Sequence, residues 1–165
     1  GYAILEMLFV ISLILVVMTF GWRLTTRLSV NSVTEETALL LSAIALAGND
    51  ARTLSNPVAA IVDSQRISGR YRNGTVLVAP SGGTISVALI NAGTAPLLRV
   101  SLLPPTTPAL CASIARRLSM SWRDVRIGAL IAGGTLYGTQ DLIISEAQLQ
   151  AACAVQPTLI AEGPL

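Results

Sequence analysis

Glu6 is the residue whose type and position most clearly require a chemical partner. It is the only charged side chain in the almost entirely apolar run over residues 2–22. A carboxylate in a membrane segment is costly, and such residues usually face a cationic partner rather than lipid. The nearest cation in the sequence is the chain's own α-amino group, but a helix leads away from its own N-terminus. We therefore expect Glu6 to pair with the amine of a neighbouring copy, displaced along the helix axis by about one turn.

The other reactive side chains are two cysteines, Cys111 and Cys153. A metal site would need more ligands, whereas an even number of cysteines in an exported domain is free to pair. A disulfide is therefore favoured, and two unpaired buried thiols are the alternative.

The composition argues against an enzyme. The chain has no histidine, and its 11 basic residues are all arginines. This removes the commonest general base and metal ligand and excludes lysine-dependent Schiff-base chemistry. The stretch AGGTLYGTQ lacks the lysine and the glycine spacing of a nucleotide-binding loop. Nothing in the spacing of Asp124, Asp141 and Glu146 fixes these carboxylates on one face. We predict no catalytic residues, no metal, no cofactor and no small-molecule ligand.

The charge pattern does not favour nucleic acid as a partner. The net charge is +2, with 11 basic and 9 acidic residues, which is too balanced to indicate a polyanion. Arginines close to Tyr71 fit the arginine-and-aromatic pattern of nucleic-acid contacts. The turn-rich sequence SGRYRNG favours a solvated loop instead, and the arginines concerned are Arg66, Arg70 and Arg72.

A long helix over residues 1–53 is predicted to carry Glu6. At about 1.5 Å of rise per residue, roughly 20 apolar residues match a hydrocarbon core of about 30 Å, so this half is expected to lie in a membrane. The second half is predicted to be amphipathic and to end near Gly48 and Asn49. Its apolar stripe is formed by Val30, Val33, Thr37, Leu40 or Leu41, and Ile44.

Four residues mark the end of the apolar run. Gly21 either softens the helix, since glycine lowers helix stability by about 1 kcal/mol, or provides a close-packing position. Trp22 is expected at the membrane–water interface, with Arg23 and Arg27 beside the lipid headgroups.

Residues 54–165 are predicted to form a head of the α+β class. Strands are predicted over residues 75–80, 84–90, 97–103 and 124–131, with edge elements at 142–144 and in the tail 156–165. Residues 58–66 are predicted to form a short helical or irregular piece. Helices are predicted from Pro108, with Thr107 as the cap, and from Ser145, which has capping-box spacing to Gln148. The long helix and short helices are expected to pack on this antiparallel sheet.

The N-terminal residues carry a family resemblance. Gly1 and Tyr2 are followed by three apolar residues, Glu6 and a long apolar run. This pattern resembles the processed N-terminus of type IV pilins and the related type II secretion pseudopilins. The resemblance implies cleavage beside Gly1, N-methylation of the first mature residue, and a Glu6 that neutralises the N-terminal amine of a neighbouring subunit. Gly1 matches the glycine before the cut and Tyr2 the first mature residue, and either could be the mature N-terminus.

The order of elements in the head extends the resemblance. A helix with Cys111 follows the third predicted strand, and the last predicted helix, SEAQLQAAC, carries Cys153. This order is similar to the heads of type IVb pilins, such as those of bundle-forming, toxin-coregulated and conjugative thin pili. The resemblance implies a type IV pilin fold and a disulfide between Cys111 and Cys153 that encloses a surface-exposed region.

The resemblance also implies a function. We expect a major pilin of a Gram-negative bacterium that polymerises through its N-terminal helix into an extracellular type IV pilus. Its task is left open among adhesion, aggregation, conjugation, twitching and DNA uptake. The subunit would lie in the inner membrane before assembly, and its partners would be identical subunits, the prepilin peptidase and the pilus assembly machinery, but not nucleic acid. One alternative is a minor pilin or a type II secretion pseudopilin. The other is a membrane-tethered periplasmic binding domain.

Overall fold

The computed structural model describes residues 2–92, 95–104, 107–133, 144–156 and 158–164. The chain divides into two compact units, Gly1–Ser32 and Val33–Leu165. The described part of the first unit is helical throughout, whereas the second contains all of the β-structure.

Helix α1, Tyr2–Ala51, begins in the first unit and ends in the second. In the second unit its buried side chains recur every three or four residues, which places them on one side of the helix. The predicted stripe is confirmed from Thr37 to Ile44, whereas its first members, Val30 and Val33, are only half-buried. The buried residues are Thr34, Thr37, Leu40, Leu41, Ile44, Ala47 and Ala51. The helix continues beyond the predicted end near Gly48 and Asn49, because Gly48 and Ala51 are both buried. Packing at these positions outweighs the low helix propensity of glycine.

The second unit is built on a seven-stranded sheet in which every strand pair is antiparallel. The spatial order is β1-β2-β3-β4-β7-β5-β6. The strands are β1 (Arg72–Asn73), β2 (Val76–Val78), β3 (Thr84–Ala92), β4 (Ala95–Leu103), β5 (Asp124–Ile127), β6 (Leu130–Gly133) and β7 (Leu159–Pro164). The predicted strands over residues 75–80, 84–90 and 97–103 are confirmed as β2, β3 and β4.

Three short helices accompany the sheet: α2 (Pro57–Val62), α3 (Pro108–Ser119) and α4 (Glu146–Val155). Both predicted caps are present. The Thr107 side chain accepts a hydrogen bond from the Leu110 amide, and Ser145 and Gln148 form a reciprocal capping box. The predicted fold class is therefore confirmed: a long N-terminal helix, an antiparallel sheet and short helices in an α+β fold.

Alternation along the central strands gives the sheet an apolar inner face and a polar outer face. Residues of the inner face are 2% exposed or less, and they are Leu98, Val100, Leu102, Val125, Ile127, Leu159 and Ala161. Helix α3 contacts β5, β6, β7 and α4. It buries Leu110, Cys111, Ala112, Ile114, Ala115 and Leu118.

Two strand predictions are wrong in detail. Residues 124–131 form a hairpin rather than one strand, because Gly128 has a φ of 59° in the left-handed region and turns the chain between β5 and β6. The tail forms a central strand rather than an edge strand. Ala161 lies opposite both Val100 of β4 and Val125 of β5, so β7 fills the gap between them.

Other predictions fall partly or wholly on residues that the structure does not describe. These residues include 134–143, and with them most of the glycine-rich loop and of the predicted edge element at 142–144. The predicted loop SGRYRNG is largely described, and it contains a short 3-10 helix, Gly69–Tyr71, followed by β1.

The central position of β7 leads to a stability prediction. Replacing Ala161 with Asp should unfold the head, because the new carboxylate would lie on the inner face at a position that is 0% exposed. Burying an unpaired charge costs several kcal/mol, comparable with the stability of a whole domain. Near-UV circular dichroism of the full chain in detergent would measure this loss.

Ala88→Asp provides the matched control. Ala88 is exposed on the outer face of β3 and lies opposite Arg99 on β4. The carboxylate introduced by Ala88→Asp would face solvent and the Arg99 side chain. The unfolding temperature of this variant should therefore stay within a few degrees of wild type. Equal behaviour of the two variants would contradict the assigned faces of the sheet.

Candidate functional site

The first half of α1 is apolar on every side and uncovered within its own unit. One window of 18 residues reaches a mean hydropathy of 2.5, and none of it is buried. The large apolar side chains between Ile4 and Leu24 are 47–79% exposed. By length and composition, this helix is therefore able to span a membrane.

Glu6 is exposed within this apolar surface. Leu5 and Met7 beside it are 71% and 68% exposed, so apolar side chains surround the carboxylate. Among the described residues, which do not include Gly1, no cation lies within salt-bridge distance of it. The predicted processing residues are only partly visible: Gly1 lies outside the described residues, and Tyr2 is the first residue of α1.

The hydroxyl groups of the apolar half bond back to the helix itself. Ser12 donates to the Phe9 carbonyl at 3.0 Å, and Thr19 donates to the carbonyls of Leu15 and Val16 at 2.8 and 2.9 Å. These bonds satisfy polar groups without water or a partner side chain. The hydroxyl groups are therefore compatible with an apolar environment, whereas the carboxylate of Glu6 is not.

Gly21 lies in an uninterrupted part of α1. A Cβ added there would meet no described atom within 4 Å, so within its own unit no described residue packs closely against Gly21. Local softening of the helix at Gly21 stays a prediction.

The second half of α1 is tied to the head by polar contacts. Thr34 donates to the Ser113 hydroxyl of α3 at 3.1 Å, and Arg117 of α3 pairs with Glu35 at 2.9 Å. At the end of the helix, Asp50 pairs with Arg66 at 2.6 Å. These contacts add orientation to the apolar stripe rather than much stability, since the ion pairs are exposed.

Tyr71 belongs to a cluster that sequence reasoning missed. Its phenol donates a hydrogen bond to the Glu36 carboxylate of α1 at 2.5 Å, and Arg70 pairs with the same carboxylate at 2.8 Å. Arg72 donates to the backbone carbonyls of Ser64 and Ile67. The predicted solvated loop is thus attached to α1, and its arginines bind groups of the chain itself. Glu36 and Asp50 are 14 residues apart, which is nearly four helical turns, so both carboxylates face the same side of α1. This spacing was the available signal that one side of the helix could bind the arginines of the loop.

Cys111 of α3 and Cys153 of α4 form a disulfide, with their Cα atoms 6.0 Å apart. Both residues are buried, and Leu149 is the only other buried residue of α4. The bond therefore accounts for much of the attachment of α4 to α3. Neither cysteine is free in this structure.

The carboxylates considered as a cluster are separate. Asp124 pairs with Arg126 at 2.5 Å, and Glu146 pairs with Arg116 at 3.4 Å, while Asp141 lies outside the described residues. Within the described part of the chain, no group of three or more His, Cys, Asp or Glu residues is arranged to hold a metal ion.

Loss of the disulfide should destabilise the head. The bond joins residues 42 positions apart, and the chain-entropy model gives about 4 kcal/mol for a loop of this length. We expect Cys111→Ser to lower the unfolding temperature of the full chain in detergent by at least 10 °C. A reductant should lower the wild-type value to that of Cys111→Ser and leave the variant unchanged. A wild-type midpoint that does not respond to reductant would contradict a structural role for the bond.

Ionisation of Tyr71 should weaken its attachment to α1. Burial raises the pKa of the Tyr71 phenol above its usual range, and the hydrogen bond to the Glu36 carboxylate raises it further. The folded state thus holds the proton more tightly than the unfolded state, whose phenol titrates near pH 10, so this stabilisation is present below about pH 10 and lost as pH rises through the folded pKa.

Tyr71→Phe tests this contribution, because phenylalanine keeps a ring beneath Arg70, whose guanidinium lies 4.6 Å from the ring centroid. The variant should be less stable than wild type by about 1 kcal/mol at pH 7. The difference should shrink above pH 10, as measured by urea unfolding monitored by tryptophan fluorescence. A difference that stays constant with pH would show that the phenol does not titrate in the way described.

Comparison of the chain with models of known protein families, with curated proteins and with solved structures gives no match in any of the three. Its function is therefore inferred from its own residues and their arrangement.

Proposed function

We propose that this chain is a structural subunit of the pilin type, a major pilin that assembles into an extracellular filament. The apolar half of α1 holds the subunit in a bacterial inner membrane before assembly and forms the core of the filament afterwards. The observation that carries the proposal is the uncovered apolar surface of this half, interrupted by the single carboxylate of Glu6.

The uncovered surface supports association with lipid or with other apolar helices. A helix that is apolar on all sides is stable only when its surroundings are apolar too. Packing of identical helices meets this need by repeating one heterologous contact from copy to copy. When the rotation between copies does not close, this contact generates an open helical filament.

Glu6 supports a specific register for that contact. In a filament core the carboxylate needs a cation, and the N-terminal amine of an adjacent copy supplies one if the two helices are offset by about one turn. A subunit docked at another height leaves a charge buried without its partner, which costs several kcal/mol. The ion pair therefore selects one height among the many that apolar packing alone would allow.

Two other functions use the same helix differently. A minor pilin or pseudopilin shares the register mechanism but makes up a small part of the filament. A membrane-tethered periplasmic binding domain uses the helix as an anchor and does not polymerise. The assembled state of the chain distinguishes these functions.

Glu6→Ala should abolish assembly without unfolding the head. We expect filaments in sheared cell-surface material to fall at least tenfold for this variant, because an unpaired amine destabilises every contact in the core. Electron microscopy would count the filaments, and mass spectrometry would identify their main band and its first residue, Gly1 or Tyr2. The inner-membrane fraction should retain the variant with its disulfide formed.

Glu146→Ala is the matched control, since it removes one exposed carboxylate from α4 of the head. It should assemble at the wild-type level. Normal filaments from Glu6→Ala would refute the register mechanism. Wild-type filaments in which the chain is scarce would favour a minor pilin, and a chain found only in the membrane would favour a tethered domain.

A further inference from the structure

Arg23 and Arg27 have no carboxylate partner among the residues that the structure describes. Both are exposed and lie on α1 directly after the apolar segment. In the head, by contrast, six arginines form ion pairs with carboxylates: Arg66, Arg70, Arg99, Arg116, Arg117 and Arg126. Among the described residues, no carboxylate therefore neutralises the positive charges of Arg23 and Arg27, and both side chains are exposed.

The spacing of these two arginines is unfavourable unless an anion lies between them. Residues four positions apart face the same side of a helix, and like charges at this spacing repel. The positions three and four residues before and after each arginine contain no acid. Ion pairing within the helix is therefore unable to offset the repulsion.

The arginines share a groove with apolar and hydroxyl side chains. Thr19, Phe20 and Leu24 complete its lining with Arg23 and Arg27. The Thr19 hydroxyl donates to carbonyls of the preceding turn, so it offers no proton to a ligand. The two guanidinium groups are thus the available donors, and a guanidinium binds a phosphate by paired hydrogen bonds. Phe20 and Leu24 supply an apolar wall beside this anion site.

We propose that Arg23 and Arg27 together bind the phosphate of an anionic phospholipid at the edge of the membrane. The site combines two donors for one phosphate with apolar side chains for the attached acyl chains. Its position also fits a lipid, because it follows the apolar segment within one turn and adjoins Trp22, which is 79% exposed. Trp22 is of the type enriched at the headgroup level. The inference rests on the membrane-embedded stage of the proposed function and not on polymerisation.

The test measures lipid binding to the full chain in detergent by native mass spectrometry, with phosphatidylglycerol as the probe and phosphatidylcholine as the neutral reference. Wild type should prefer phosphatidylglycerol. The double substitution R23Q/R27Q should weaken phosphatidylglycerol binding about 10- to 30-fold, since each basic residue near an anionic surface contributes about a factor of five. Phosphatidylcholine binding should not change.

Two further variants separate a shared site from general attraction. T25R/R27T keeps the net charge but moves one arginine to another side of the helix, and it should bind as weakly as R23Q/R27Q. R52Q/R123Q removes two arginines of the head that form no described ion pair, and it should bind phosphatidylglycerol like wild type.

Three results would overturn the proposal: equal phosphatidylglycerol binding by wild type and R23Q/R27Q, wild-type binding by T25R/R27T, or an equal loss in R52Q/R123Q. Inorganic phosphate at 10-fold excess over lipid should leave the complex intact, and its displacement of the lipid would identify a free-anion site instead. Flotation with neutral phosphatidylcholine vesicles tests the membrane stage separately. A chain that does not float with these vesicles would refute the membrane stage. A chain that floats but shows no preference for phosphatidylglycerol in native mass spectrometry would refute this inference alone.

Discussion

The apolar surface of α1 has to be covered, because leaving it in water costs free energy through the hydrophobic effect. Removing one large apolar side chain from water contributes about 1.5–3 kcal/mol. Sixteen such side chains between Ile4 and Leu24 are exposed, so the sum reaches tens of kcal/mol. This exceeds the net stability of a typical domain, about 5–15 kcal/mol. The surroundings of the first helix, rather than the folding of the head, therefore determine where the chain can reside.

Most polar side chains of the apolar half of α1 are already hydrogen-bonded within the helix, so few of them need a partner on a neighbouring molecule. Ser12 and Thr19 bond to carbonyls of their own helix, so their hydroxyl groups place no demand on a neighbour. Glu6 has no such bond among the described residues, and it is the single charge of the apolar run. In the proposed filament, apolar packing would make association strong, whereas the carboxylate of Glu6 would make it specific for the relative height of the two helices. Arg23 and Arg27 follow the other end of the segment.

The parts of the fold that depend on neighbouring residues were predictable from the sequence. The caps at Thr107 and Ser145 and the strands β2 to β4 follow from local patterns, and Glu6 is recognisable by residue type alone. The place of β7 was not predictable, because alternation within a strand does not say which strands lie beside it. Likewise, the contact of Tyr71 with Glu36 joins residues 35 positions apart, and only the folded head brings them together. The partner proposed for Glu6 is the amine of another copy, which the structure of a single chain does not contain.

The position of β7 also has a consequence for the order of events during synthesis. In the sheet, β5 and β6 are connected to β4 only through β7, yet residues 159–164 are made after every other strand. Before residues 159–164 are synthesised, β1 to β4 and the β5–β6 hairpin have no strand between them. The edges of β4 and β5 that β7 later covers can then pair with a strand of another chain. The sheet is therefore complete only after residues 159–164 have been synthesised. A chain whose β7 is not yet made therefore exposes unpaired backbone N–H and C=O groups that promote aggregation.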